Sequence, residues 1–113
     1  MKIDQIQKIT QAEILCGHEM QEEIKSACGA DLMSDVLAFS KENGMLITGL
    51  VNPQVIRTAE MMDFKAILFV RGKQPSKEMV EMAAEKSISL LTTQLTMYFA
   101  CGHLYAEGLG ADA

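Results

Sequence analysis

The sequence predicts an α/β fold, a layered sandwich in which helices pack on a largely parallel central sheet. Three short apolar runs, at 45–50, 66–70 and 88–92, are each followed by a segment of helical period. The runs are nearly continuous in Leu, Ile, Val and Phe and do not alternate with polar residues, which is typical of strands buried on both faces. The β-α alternation therefore indicates an α/β fold, and we expect residues 1–113 to form one domain.

Two of the predicted helices have clear capping residues. Asn52 is a favourable N-cap and is followed by Pro53 at the first helical position, so a helix is expected over 53–62. Ser76 can cap a second helix, whose apolar stripe is formed by Met79, Val80 and Ala83.

Thr93 can cap a third helix after the last apolar run. In this interpretation Leu95, Tyr98 and Phe99 point inward, toward the sheet.

The N-terminal part of the chain has a weaker pattern. A short helix is expected over 3–9, and the strand candidates are 13–16 and 24–32, the second blurred by Gly29. Another helix is expected to begin at Ser34 and Asp35 and to stop near Asn43 and Gly44.

Length, composition and charge exclude several classes of protein. With 113 residues, 49% hydrophobic and 22% charged, the chain has the composition of a globular domain. No apolar stretch reaches the roughly 18 residues of a membrane span, and the start lacks the apolar run of a secretory signal, so we expect a cytoplasmic protein without a membrane partner. A net charge of −5 disfavours nucleic acid as a partner.

The carboxyl ends of the three strands are the place where a ligand is expected, because parallel sheets bind ligands at that edge. The loops there offer hydroxyls, glycines and two cations, and the residues that could bind a nucleotide or another anion are Thr48, Gly49, Asn52, Arg71, Gly72, Lys73, Thr92 and Thr93. Arg71 could form two hydrogen bonds to one phosphate or carboxylate. The alternative is that the cations are solvated and the threonines only cap helices.

Familiar catalytic and metal motifs are missing or incomplete. Gly72-Lys73 is followed by Gln74, which breaks the phosphate-loop pattern, and no Gly-x-Gly-x-x-Gly occurs. Cys-Gly-His occurs at 16–18 and 101–103, but without zinc-site spacing, so Cys16 and Cys101 are interpreted as buried thiols. Cys28 lacks a recognisable base, and an odd number of cysteines disfavours a disulfide framework. We expect no catalytic residue, no metal and no cofactor.

The ordered segments GADLMSDVLAF, LITGLVNPQVIRTAEMMDFKAILFVRGKQPSKEMVEMAAEKSISLLTT and ACGHLYAEGL, within residues 29–109, resemble the DRTGG domain family, in particular its small stand-alone bacterial members. Where related domains have an Asp-Arg pair and then Thr-Gly-Gly, this chain has Asn52 with a neighbour and then Val70-Arg71-Gly72. Gly72 alone matches the glycine pair.

The resemblance implies an α/β sandwich similar to the N-terminal domain of HPr kinase. It also implies a regulatory and subunit-contact role, since such domains accompany phosphotransacetylase domains and the CBS domains that bind adenine nucleotides. The first hypothesis is therefore a non-enzymatic domain that forms a homodimer and modulates a partner protein. Its expected contact surface is Asn52, Pro53, Thr96, Met97 and Tyr98.

The second hypothesis is a sensor of an adenine nucleotide or another anion. The third hypothesis is an enzyme of unrecognised type.

Overall fold

The structure, a computed structural model, describes residues 1–17, 19–41 and 43–110. Helices and strands follow one another as α1 (Ile3–Thr10), β1 (Glu13–Cys16), β2 (Ala27–Gly29), α2 (Met33–Phe39), β3 (Met45–Thr48), α3 (Pro53–Met61), β4 (Ala66–Phe69), α4 (Lys77–Glu85), β5 (Ser89–Thr92) and α5 (Met97–Ala106). Within these ranges no helix is long and apolar enough to cross a membrane.

The sheet has the strand order β1-β5-β4-β3-β2. β2, β3, β4 and β5 pair in parallel, and in register Ile47 lies opposite Leu68, which lies opposite Leu91. β1 pairs with β5 in the antiparallel direction and forms one edge. The prediction of a largely parallel sheet in an α/β fold is confirmed.

The three central strands are buried on both faces, as their continuous apolar sequences predict. Ile47, Leu68 and Leu91 lie in the apolar cluster that includes residues of α1 and α5. The residues that precede them in each strand, Leu46, Ile67 and Leu90, lie in the cluster with α2, α3 and α4. The sheet is therefore the middle layer between two helical layers.

The capping residues expected for two helices are confirmed. The Asn52 side chain accepts a hydrogen bond of 2.8 Å from the Gln54 N–H, and Pro53 occupies the first turn of α3. The Ser76 hydroxyl oxygen accepts a hydrogen bond of 3.2 Å from the Met79 N–H at the start of α4. Each side chain satisfies a backbone donor that the first helical turn leaves unpaired.

Two N-terminal predictions need correction. The strand expected over 24–32 is limited to Ala27–Gly29, because the Ile24 N–H donates instead to the Met1 carbonyl oxygen at 2.7 Å. The helix that follows ends at Phe39 and not near Asn43 and Gly44, since Ser40 has an extended backbone with ψ 158°.

The prediction for the last helix is wrong in its cap and its orientation. Thr96 caps α5 by accepting a hydrogen bond of 3.3 Å from the Phe99 N–H, whereas the Thr93 hydroxyl donates to the Thr10 carbonyl oxygen at 2.7 Å. Tyr98 is 81% exposed and Phe99 is 54% exposed, so both point outward, whereas Leu95, just before the helix, packs against the core as predicted. Ala100 and Leu104 are the α5 residues that are buried in the core.

Candidate binding site and contact face

The carboxyl ends of β2, β3 and β4 bring three side chains of different chemistry close together. Asp31, which follows β2, accepts hydrogen bonds from the Thr48 hydroxyl at 2.9 Å and from the Gly49 N–H at 2.8 Å. An Arg71 guanidinium nitrogen lies 3.0 Å from the point that a Gly49 Cβ would occupy. A Cβ at position 49 would therefore require the Arg71 guanidinium to shift by a few tenths of an ångström.

Arg71 and Gly72 form a tight turn with unusual backbone angles. Their φ values are 56° and 67°, and the Lys73 N–H donates to the Val70 carbonyl oxygen at 3.2 Å. Two left-handed central residues define a type I′ turn, which favours Asn-Gly. The left-handed backbone conformation costs a residue with a Cβ roughly 1–2 kcal/mol. Contacts with the rest of the protein therefore maintain this conformation at Arg71.

The adjoining loop holds the Arg71 turn in place. The Arg71 N–H donates to the Leu95 carbonyl oxygen at 2.8 Å, and the Gly72 N–H donates to the Thr93 carbonyl oxygen at 2.8 Å. The Gln94 side chain covers Gly72 and would have to move to admit a Cβ there, since its Oε1 lies 2.7 Å from that point. The turn is therefore a rigid platform from which Arg71 extends.

The guanidinium of Arg71 is available to an anion. Arg71 is exposed, and among residues 1–17, 19–41 and 43–110 no carboxylate lies within the 4.0 Å of an ion pair with it. Lys73, two residues further on, is also exposed. Of the predicted ligand residues, these two cations present groups that are free to meet an anion at this edge.

The three predicted threonines are buried, and each donates its hydroxyl proton to a protein oxygen. Thr48 donates to Asp31, and Thr92 donates to the Lys73 carbonyl oxygen at 2.7 Å. Thr93 donates to the Thr10 carbonyl oxygen at 2.7 Å. These hydroxyls hold the loops together, and Asn52 serves as the cap of α3, so the anion-binding prediction rests on the side chains of Arg71 and Lys73.

Sequence reasoning missed Asp31 and Gln94. Asp31 follows a strand of only three residues, and its carboxylate accepts a hydrogen bond from the N–H of Gly49, which follows the neighbouring strand β3. The signal that could have found it is a carboxylate placed directly after a strand, at the edge where ligands are expected. Gln94 contacts Gly72 only because the chain turns after β5, and no local sequence pattern marks that contact.

The outward side of α5 is a mostly apolar face without Asp, Glu, Lys or Arg. It consists of Tyr98, Phe99, Gly102, His103 and Tyr105, and we call it the α5 face. Tyr98 and Phe99 make an edge-to-face contact with ring centroids 5.5 Å apart, and the His103 ring stacks on Phe99 at 6.1 Å. Tyr105 is 74% exposed. A helix that is apolar on its solvent side as well as on its core side is typical of a surface that a partner covers.

The predicted contact residues are divided between two helical layers. Thr96 caps α5, Met97 is half-buried against Gly29, and Tyr98 belongs to the α5 face. Asn52 and Pro53 begin α3, whose buried residues belong to the cluster on the opposite side of the sheet. The structure therefore brings Thr96, Met97 and Tyr98 together and leaves Asn52 and Pro53 in the other layer.

The cysteines are half-buried free thiols. Burial raises the pKa of Cys16, and burial together with the nearby Cys28 thiol raises the pKa of Cys101. No cluster of three or more His, Cys, Asp or Glu residues that could hold a metal ion occurs in the part of the chain that the structure describes. His18, from the first Cys-Gly-His, lies outside the described residues.

The described residues form a small α/β domain with a cationic loop at one end of the sheet and an exposed, mostly apolar face on α5. The sequence model of the DRTGG domain family matches residues 5–104. The chain therefore belongs to the DRTGG domain family, and the resemblance seen in its sequence is confirmed.

The fold is similar to that of the CBS and DRTGG domains in the regulatory region of Clostridium perfringens pyrophosphatase, solved in complex with the activator diadenosine tetraphosphate. The two chains are 19% identical with a TM-score of 0.71, over 91% of this chain and 45% of that one. This chain thus spans less than half the length of that relative. The curated proteins contain no match to the sequence.

Proposed function

We propose that this protein is a non-catalytic regulatory domain that forms a homodimer and modulates a partner protein by direct contact. The α5 face carries the proposal, because it exposes Tyr98, Phe99 and Tyr105 on a helix that contains no Asp, Glu, Lys or Arg. Membership of the DRTGG family supports a regulatory role, since a DRTGG domain is part of the regulatory region of the clostridial pyrophosphatase.

The size of the α5 face suits a protein contact. A large aromatic side chain buries about 150–250 Å², so three that are mostly exposed supply about half of the roughly 800 Å² that each partner buries in a standard interface. Gly102 lies between them, and no described atom comes within 4 Å of the point where its Cβ would be. A neighbouring helix can therefore approach α5 closely at this glycine.

Charge favours the α5 face as the contact between two copies. Each chain carries a net charge of −5, so two copies repel each other through most of their surfaces. An uncharged face lets two copies approach with the least repulsion. Aromatic residues are also enriched at interfaces, where charged residues are depleted.

Sedimentation velocity over a range of concentrations tests the dimer. Tyr98→Glu introduces a charge into the α5 face and should yield a monomer. Met61→Glu is the matched control, because Met61 is a 68% exposed apolar residue on α3, in the other helical layer, and this variant should remain dimeric. A wild-type protein that is monomeric throughout, or equal behaviour of the two variants, would contradict the dimer proposal.

The same two variants test the modulation of a partner. A partner recovered by cross-linking with the wild type should be lost with Tyr98→Glu and kept with Met61→Glu. A partner that cross-links equally to both variants would show that regulation uses another surface.

A second candidate function is sensing of an adenine nucleotide or another anion, and the unpaired guanidinium of Arg71 favours it. A ligand that binds only the native state raises the melting temperature, so thermal shift with AMP, ATP, diadenosine tetraphosphate and inorganic phosphate is the test. Arg71→Ala should abolish the shift, while Arg57→Ala, an exposed arginine of α3, should keep it. An unchanged shift in Arg71→Ala would contradict the site.

A further inference from the structure

A cavity of about 310 Å³ lies between the second half of α5 and the edge strand β2. Leu104 and Leu109 are buried at its walls, and Tyr105 and Cys101 of α5 also line it. Its volume is at the lower end of the range found for small-molecule sites. The described lining of the cavity contains no charged residue.

Among the described residues, the strand beside the cavity has backbone groups without a hydrogen-bond partner. The Met45 N–H donates to the Ser26 carbonyl oxygen at 2.9 Å, and the Ala30 N–H donates to the Ile47 carbonyl oxygen at 3.0 Å. In a parallel ladder alternate residues face the neighbouring strand, so the N–H and C=O groups of Ala27 and Gly29 point away from β3. Both residues line the cavity, which therefore has hydrogen-bond donors and acceptors along one side.

Gly29 keeps this backbone accessible. The Cys101 sulfur lies 2.7 Å from the point that a Gly29 Cβ would occupy. A side chain at position 29 would therefore push α5 away from β2 and cover the strand. The absence of a side chain allows a ligand to reach backbone groups that a larger residue would hide.

We propose that this cavity binds a small, neutral, flat heteroaromatic compound that carries a hydrogen-bond donor and an acceptor on one edge. The leucine walls and Tyr105 contact the ring faces, and the Gly29 and Ala27 backbone pairs with the polar edge. Charged compounds are excluded, because the described lining has no opposite charge to compensate for their desolvation. The site does not depend on the proposed dimer, although Tyr105 belongs to both the cavity and the α5 face.

Protection of the thiols from alkylation tests the proposal in the wild-type protein. The probe is benzimidazole, compared with 1-methylindole, which lacks the donor and acceptor, and with benzimidazole-5-carboxylate, which is charged. Mass spectrometry after iodoacetamide treatment should show saturable protection of Cys101 by benzimidazole and weaker protection by the two analogues. Cys16 is the internal control, since it is also a half-buried thiol but lies beside β5, at Ile88. Equal protection of both thiols, or none, would overturn the proposal.

Substitution of two exposed aromatic residues tests whether the compound binds in the cavity. Tyr105→Ala removes a wall of the cavity and should weaken the protection of Cys101 by about two- to tenfold, the range for one aromatic contact. Phe39→Ala removes a similarly exposed aromatic residue of α2 that lies neither on the cavity nor on the α5 face, and should leave protection unchanged. Circular dichroism checks that both variants fold. The same loss in both variants, or in neither, would place the compound elsewhere and refute the site.

Discussion

Replacing Arg71 by glycine should stabilise the fold while removing an exposed cation of the loop after β4. Arg71 has φ 56°, and a residue with a Cβ in this region costs roughly 1–2 kcal/mol. Glycine removes that cost, but it also increases the conformational entropy of the unfolded chain, which lowers the free energy of unfolding by about 0.5–1 kcal/mol. The expected net gain is therefore about 0.5 kcal/mol relative to the wild type.

Arg71→Ala is the matched comparison, because it removes the guanidinium and keeps the strained angle. The difference in the free energy of unfolding between the Gly and Ala variants should be about 0.5–1 kcal/mol in favour of glycine, measured by urea denaturation at 25 °C. Both variants should lose about 1.5–3 kcal/mol of anion binding, the contribution of a hydrogen bond to a charged group. A glycine variant no more stable than the alanine variant would refute the assignment of strain to this turn.

Three further outcomes are expected. Ser76→Ala should lower the free energy of unfolding by about 1 kcal/mol in urea denaturation, because the Met79 N–H loses its cap; an unchanged midpoint would contradict that role. Asp31→Ala should cost about 1–3 kcal/mol in the same assay, since the buried Thr48 hydroxyl loses its acceptor; Asp35→Ala, on the surface of α2, is its control. The pKa of Cys101 is raised in the folded state from an ordinary value of 9.0, so its contribution to stability is complete below pH 9 and is lost as the pH rises through the folded pKa. Melting temperatures of Cys101→Ala should therefore fall less steeply above pH 9 than those of the wild type, and parallel curves would contradict this.

The sequence predicted the central part of the fold closely. β3, β4 and β5 are buried on both faces, so their composition alone distinguishes them from surface strands. Asn52 and Ser76 cap their helices through contacts two and three residues away, and contacts at that range are visible in a sequence. The strand candidate over 24–32 was too long, because the backbone of Ile24 pairs with Met1, a contact that no local pattern encodes.

The orientation of α5 could not be predicted for a different reason. Helical periodicity identifies the core side only when the other side is polar, and α5 has apolar residues around its whole circumference. Thr93 and Thr96 are both suitable caps by type, and the choice between them depends on Thr10, whose carbonyl oxygen binds the Thr93 hydroxyl. For the candidate site, the cations of the loop were predictable, whereas the backbone angle of Arg71 and its proximity to Asp31 depend on tertiary structure.

The pairing of β1 with β5 has a consequence for the protein during its synthesis. β1 is complete once residue 16 has been added, but its partner begins only at Ser89. At the usual rate of roughly 5–20 residues per second, translation takes roughly 4–15 s to cover that interval. Throughout this time β1 has been synthesised, but the backbone groups that pair with β5 lack their native partner. The nascent chain therefore has to keep β1 from pairing with other chains, and the sheet can close only after β5 has been synthesised.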